Sequence, residues 1–255
     1  FSDEQILCYL GHYFRGDNRL TDLGNTINLI PGTGWCMPPC TLHAPGSLTT
    51  YELQVASDVT CIPESRVNDM VMPADLLDRD LPVTVKKDGL EAVCRYILSM
   101  LHCRNSGNGD NFRKEYFRPP VEIFHSEEGG QSWVIYRTGR ASEAINVDLY
   151  SAKKTVVQSG CALRLQEKQA FGAIVLSGHG RVQVQGKEPL AVESASMFPT
   201  RDALGGDEFF VAAGAAEAFR LECESIENLH VYQHFASNSN PESRNLPVPV
   251  YLPFA

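Results

Sequence analysis

The residues whose types and spacing point most clearly to chemistry fall in one stretch, Leu29 to Asp58, LIPGTGWCMPPCTLHAPGSLTTYELQVASD. His43 stands in a turn, Thr41-Leu42-His43-Ala44-Pro45-Gly46, and Glu52 follows nine residues later. An imidazole carries protons near neutrality and binds divalent metals through nitrogen, and a carboxylate serves as a base or an oxygen ligand. The pair suits a metal centre or a proton-transfer site. Cys36 and Cys40 lie just upstream, so Cys36-x3-Cys40-x2-His43 has the ingredients of a zinc set. Residues four apart on a strand, however, are separated by about 13 Å. The two cysteines are therefore expected to pack in a sheet wall rather than to ligate.

The elements that would position His43 and Glu52 are two short strands. Pro31-Gly32 and Gly34 open a turn, Trp35-Cys36-Met37 is a short apolar run, and Pro38-Pro39 ends it. Leu48 to Val55 alternates well enough to read as the returning strand, with Glu52 and Gln54 on one face and Tyr51, Leu53 and Val55 on the other. Such a β-hairpin arm is expected to turn His43 and Glu52 into the mouth of a barrel.

PGTGWCMPPCTLHAPG followed by YELQVASD resembles the second motif of the type I mannose-6-phosphate isomerases, members of the cupin superfamily. The close match covers residues 27–58, and a looser one extends over most of the chain, in the manner of the short bacterial members. The resemblance implies that His43 is a metal ligand, that Glu52 lies in the sugar site, and that Ser57-Asp58 ends the strand. It implies a cofactor, zinc or another divalent metal, and a small-molecule partner, a sugar or sugar phosphate. The family's catalytic arginine falls at Ile62 here; Arg66, four residues on, is the candidate to take its role, since a guanidinium fork suits a phosphate or sugar oxyanion. The family's other metal ligands, a Gln-x-His pair and a Glu, precede its helical insertion. No Gln-x-His occurs in these 255 residues, and the expectation is that such a segment precedes Phe1.

Composition sets the class. The chain is 43% hydrophobic and 21% charged, with a formal net charge of -9. That acidity argues against nucleic acid and against an anionic membrane surface as partners. No apolar run is long enough for a membrane span. Eight irregularly spaced cysteines read as free thiols in a reducing compartment, so the expected localisation is cytoplasmic.

The expected fold is mainly β: two cupin-type, jelly-roll antiparallel barrels with a few helices. Residues 1–75 would form a partial metal-binding cupin with a helical insertion, beginning with a helix capped by Ser2. Residues 76–110 would be a connector containing a helix over 88–101, capped by Asp88 and with an apolar stripe of Leu90, Val93, Cys94, Ile97, Leu98 and Leu101. Residues 111–236 would form a second, degenerate cupin, and 237–255 an extended tail. Strand composition recurs at 133–136, 145–150, 154–157, 161–165, 171–176, 181–185, 209–214 and 218–222. LSGHGRVQVQG reads as a glycine turn and its return strand. The second barrel is expected to be metal-free and filled by Leu163, Leu165, Ile174 and Phe210. His179 is read as structural; His230 and His234 flank a final strand, LHVYQHF, where they face the same way but no third ligand is evident.

Two functions of different class remain open. One is a metal-dependent aldose–ketose isomerase that moves a proton through an enediol. The other is a non-catalytic bicupin that binds a sugar or serves a regulatory role. A metal-dependent oxygenase is a more distant third, since one fold hosts many chemistries.

Overall fold

The computed structural model describes residues 2–44, 50–55, 61–101, 109–137, 149–194, 207–237 and 239–240. The chain divides into two compact units, Phe1–Asn28 with Met37–Phe112, and Leu29–Cys36 with Arg113–Ala255.

The first unit is built on helices. Helix α1 (Asp3–Gly11) starts at Ser2, whose hydroxyl accepts from the Gln5 backbone while the Gln5 side chain accepts from the Ser2 backbone, a reciprocal capping box. Strands β1 (Gly34–Trp35), β2 (Arg66–Val67) and β3 (Met70–Val71) come next in the chain, β1 belonging to the second unit. Helices α2 (Val83–Lys87) and α3 (Leu90–Met100) follow. Val93, Cys94 and Ile97 on α3 meet Ile6 and Leu10 on α1, with Tyr13, Leu20 and Leu77 closing the cluster. Of the expected stripe, Val93, Cys94 and Ile97 are core, Leu98 and Leu101 pack against the cluster, and Leu90 is exposed. Asp88 is not the cap of α3: it ends α2, and Gly89, at φ 88°, starts α3 without a side-chain cap.

The described residues between 25 and 75 hold only two-residue strands. Residues 50–55, expected to form the return strand, make no regular ladder. Pro31, Gly32, Pro38 and Pro39 break the chain into turns, and proline offers no N–H for pairing. One true hairpin does form: β2 and β3 pair through Asn68-Asp69, both at positive φ (48° and 61°), as a two-residue turn of the primed kind requires.

Helix α4 (Gly109–Tyr116), within which the division between the units falls, leads into β4 (Phe117–Arg118) of the second unit, which pairs with β1. The hairpin β5 (Val121–Ser126) and β6 (Gly130–Arg137) comes next. Among the described residues eight strands then follow: β7 (Tyr150–Val157), β8 (Ala162–Leu165), β9 (Phe171–Ser177), β10 (His179–Val184), β11 (Leu190–Glu193), β12 (Glu208–Val211), β13 (Phe219–Cys223) and β14 (Leu229–Ala236). A short helix, α5 (Ala213–Ala216), separates β12 from β13. Their antiparallel pairs are nested: β10 with β11, β9 with β12, β8 with β13, β7 with β14. A long hairpin has been rolled so that β14 also pairs with β9 and β13 with β10. The result is two sheets, β12-β9-β14-β7-β6-β5 and β11-β10-β13-β8. This is jelly-roll topology, and the fold is mainly β with a few helices, as the sequence implied.

Alternation places the core. On β14, Leu229, Val231, Gln233 and Phe235 are buried while His230, Tyr232 and His234 are half-buried on the other face. Phe171, Ala173 and Val175 on β9, Leu163 on β8, Phe209 on β12 and Leu221 on β13 fill the same interior. Of the four expected interior residues, Leu163 lies in the core and Leu165 packs against it. Ile174 and Phe210 turn outward, Phe210 to 71% exposure, because the strands run one residue out of phase with that expectation. Gly180 sits opposite Cys223, where a Cβ would run into the Glu222 carbonyl oxygen.

Truncating Leu221 to Ala should cost roughly 2–5 kcal/mol, read as a lower urea midpoint. Phe210→Ala on the outer face should change stability by no more than about 0.5 kcal/mol.

Candidate functional site

His43 is exposed, and its Nδ1 lies 2.8 Å from the Thr41 carbonyl oxygen. A carbonyl only accepts, so Nδ1 donates. In the neutral ring the lone pair is then on Nε2, and the ring is held by a short local bond. That is how a backbone carbonyl prepares a metal-ligating histidine. Glu52 is exposed as well.

Arg66 is placed most firmly. Asn18 clamps its backbone: the Asn18 Oδ1 accepts from the Ser65 N–H (2.8 Å), the Ser65 hydroxyl (2.9 Å) and the Arg66 N–H (3.1 Å), and its Nδ2 donates to the Arg66 carbonyl (2.6 Å). The guanidinium donates to the Asp69 carbonyl at 3.2 Å and is exposed, which leaves other N–H groups of the fork facing solvent. No hydrogen bond or ion pair joins His43, Glu52 and Arg66 among the described residues. Residues 45–49 and 56–60, which carry the Pro45-Gly46 turn and Ser57-Asp58, lie outside the described residues. Cys36 is buried and accepts from the Tyr136 hydroxyl at 3.4 Å, whereas Cys40 is exposed at φ 61°.

Zinc asks for four ligands, or three and a water. Among the described residues no three His, Cys, Asp or Glu side chains stand close enough to share a metal. His43 has the chemistry of one prepared ligand, and the described residues do not by themselves complete a centre.

A second polar site lies inside the jelly roll. Lys153 Nζ donates to Glu167 Oε2 at 2.7 Å, with both side chains almost wholly buried. Ser132 and Thr155 bond hydroxyl to hydroxyl at 2.9 Å, Thr155 donates to Gln233 Oε1 at 2.8 Å, and Gln233 Nε2 donates to Glu167 Oε1 at 3.4 Å. Lys153 Nζ also stands 5.2 Å over the Phe235 ring. Glu167 comes from the β8–β9 loop, held by its own N–H on the Ala216 carbonyl of α5 at 2.7 Å. The network runs from hydroxyls to a neutralised carboxylate, so the buried charges are met. The sequence reading missed it. Two signals were present: Lys153 shares a strand face with Val157, and Gln233 shares one with Val231 and Phe235. Glu167, in a loop, gave none.

On the outer face of the larger sheet, Ile174, Tyr232, Lys154, Trp133 and Glu122 stand in cross-strand register, with Lys154 Nζ 5.8 Å from the Trp133 ring centre. Burial holds His230 below the ordinary histidine range, and Lys154 adds to this. Burial does the same to His234, whose ring lies over Gly172.

No protein-family model matches this chain, and no curated protein matches it. Solved structures do. One is a cupin-2 domain protein from Rhodospirillum rubrum, at 16% identity over 48% of this chain and 72% of that one, with a TM-score of 0.33. Another is a cupin 2 conserved barrel protein from Rhodopseudomonas palustris, at 9% identity over 48% and 74%, with a TM-score of 0.33. A third is ectoine synthase from P. lautus, at 14% identity over 46% and 68%, with a TM-score of 0.31.

Two outcomes are expected. Lys153→Met alone strands Glu167 and should cost about 3–5 kcal/mol, whereas Lys153→Met with Glu167→Leu should recover most of that loss; urea unfolding of the three proteins measures both. For His230 and His234 the folded pKa is depressed, so on acidification the unfolded chain takes up protons first, from about pH 6.5 downward. Stability contributed by these rings is present above that pH and lost below it. The double variant His230→Gln, His234→Gln should show a smaller drop in urea midpoint than wild type on going from about pH 7.5 to about 5.5.

Proposed function

We propose that this chain acts on a sugar or sugar phosphate as a metal-dependent aldose–ketose isomerase of the mannose-6-phosphate isomerase type. His43 is one ligand of a zinc or another divalent metal, Glu52 carries the proton between the two sugar carbons, and Arg66 faces the anionic oxygen. The reading is supported by one observation above all: within the segment that resembles the isomerase motif, His43 donates through Nδ1 to the Thr41 carbonyl and so offers Nε2 outward. The remaining ligands come from beyond the described residues. A bound divalent metal would supply polarisation of the sugar's carbonyl and hydroxyl oxygens. The clamp of Asn18 on the Arg66 backbone, with the guanidinium's bond to the Asp69 carbonyl, supports an arginine that can be presented to an anion.

The site is expected to work in the cytoplasm, with neither nucleic acid nor membrane as a partner. No helix among the described residues is long and apolar enough to cross a membrane.

A second reading, a non-catalytic module that binds a sugar or regulates, is favoured by a different observation. The interior of the jelly roll is filled by apolar side chains and the Lys153–Glu167 network, with its polar groups directed at one another.

Metal analysis of the intact natural protein, paired with an aldose–ketose conversion assay on phosphorylated and free hexoses, separates the two. For the isomerase, His43→Ala loses bound metal, and Glu52→Gln keeps it but loses turnover by roughly 10²-fold or more. Arg66→Ala weakens the phosphorylated substrate more than the free sugar. Unchanged metal content and turnover in His43→Ala would end the isomerase reading. Sugar binding without any conversion would establish the second.

A further inference from the structure

At the C-terminal end of α1 three side chains line up that the site above does not use. Cys8 and His12 are one helical turn apart, with Cys8 Sγ 3.9 Å from His12 Nε2. His12 Nδ1 in turn lies 3.2 Å from Asp17 Oδ2. The αL residue Gly16, at φ 70°, swings the chain back so that Asp17 faces the helix end.

Asp17 is held from the other side by Arg19. The Arg19 Nε donates to Oδ1 (3.1 Å) and Oδ2 (2.9 Å), its Nη2 to Oδ2 (2.6 Å), and its backbone N–H to Oδ1 (2.9 Å). The same guanidinium stands 5.5 Å over the Tyr9 ring, and Tyr9 meets the His12 ring edge-on at 6.3 Å. Arg19 Nη2 is also 3.3 Å from His12 Nδ1, but its shorter bond goes to the carboxylate. The carboxylate, an acceptor with full charge, fixes the hydrogen on Nδ1. Nε2 therefore turns its lone pair toward sulfur.

We propose that Cys8, His12 and Asp17 form a nucleophilic thiol centre that exchanges with low-molecular-weight disulfides. Cys8 is the nucleophile, His12 its base, and Asp17 a positioning residue that orients the base. As Cys8 Sγ attacks one sulfur of R–S–S–R, its proton passes to His12 Nε2. The new Sγ–S bond forms, the R–S–S–R bond breaks, and the departing sulfur takes the electron pair and then the proton from His12. Cys8 ends in a mixed disulfide, and half of the reagent is reduced to a thiol. The sulfur–nitrogen distance is loose, as such pairs are before their partner arrives.

The other described cysteines set the contrast. Cys36, Cys94 and Cys223 are buried, Cys161 is partly buried against the jelly-roll core, and burial pushes the Cys61 thiol up to about 11, with Asp78 adding to it. Cys40 is exposed like Cys8 but has no hydrogen bond to an imidazole among the described residues, so it serves as an internal reference.

The test is the reaction of the intact protein with dithiodipyridine, followed by thiopyridone absorbance, with each modified cysteine assigned by peptide mass. Cys8 should react at least about tenfold faster than Cys40 near neutral pH. In His12→Ala the Cys8 rate should fall toward that of Cys40, and free imidazole in the buffer should restore it. An Asp17→Asn protein should lie between the two. The proposal is overturned if Cys8 reacts no faster than Cys40, if His12→Ala matches wild type, or if imidazole recovers none of the loss. An Asp17→Asn rate equal to wild type would remove Asp17 from the centre.

Discussion

The second unit depends on where its last described strand goes. β14 enters between β7 and β9 and pairs with both along its length, so the sheet cannot be completed until the end of the described barrel has been made. The register of β7, β9 and β14 fixes which side chains face inward: Val157 opposite Leu229, Thr155 opposite Val231, Lys153 opposite Gln233. A slip of one residue would send Val231 and Phe235 to solvent and bring Tyr232 and the two histidines into the core. Two apolar rows meeting across about 10 Å make that slip expensive. Nested pairing also joins residues far apart in sequence, and the loop-closure entropy of those contacts must be met before the core repays it.

That register explains why a charge pair can sit inside the barrel. Lys153 is inward because Thr155 and Val157 are inward, and the strand leaves no other choice. Once there, its ammonium needs a counter-charge, and the β8–β9 loop supplies Glu167. Gln233, inward on β14 for the same reason, bridges the carboxylate to Thr155 and Ser132. Such a network adds little net stability over an apolar filling of the same shape, but losing one member is severe. It also ties a loop to the two central strands, so it favours one arrangement of the barrel.

Much of the fold was legible from periodicity, and its failures have physical causes. Strict alternation in RVQVQ marked β10, and Gly178 at φ 79° made the turn that LSGHG implied. The apolar stripe of α3, apart from Leu90, and the Ser2 cap were read directly. Phe209 and Phe210 are adjacent and chemically identical, so composition could not say which faces in; only pairing with β9 decides it. The β2–β3 hairpin was hidden because Asn-Asp is a weaker turn signal than Asn-Gly. The stretch around Glu52 has strand composition but no partner ladder among the described residues, and a strand without a partner is not stable alone. For the candidate site the residue types were legible, and their convergence was not. The Asn18 clamp, 48 residues from Arg66, left no trace in local sequence.

The Lys153–Glu167 network and the residues His43, Glu52 and Arg66 differ in what their surroundings allow. Inside the jelly roll the medium is dry, so the attraction of Lys153 and Glu167 is strong, but it is spent internally and the groups are not offered to a visitor. His43, Glu52 and Arg66 are offered, yet in water a unit charge at 4 Å is worth only about 1 kcal/mol. Side chains so exposed discriminate a transition state poorly until something excludes water around them. A functioning site at His43 therefore requires enclosure, by substrate, by metal or by further chain, and its rate would be set as much by that closure as by the identity of the three residues. Thiol exchange at Cys8 makes no such demand. Its attacking and leaving atoms are polarisable sulfurs, its base is already hydrogen-bonded, and an exposed helix end is an advantage for a reagent that arrives from solution.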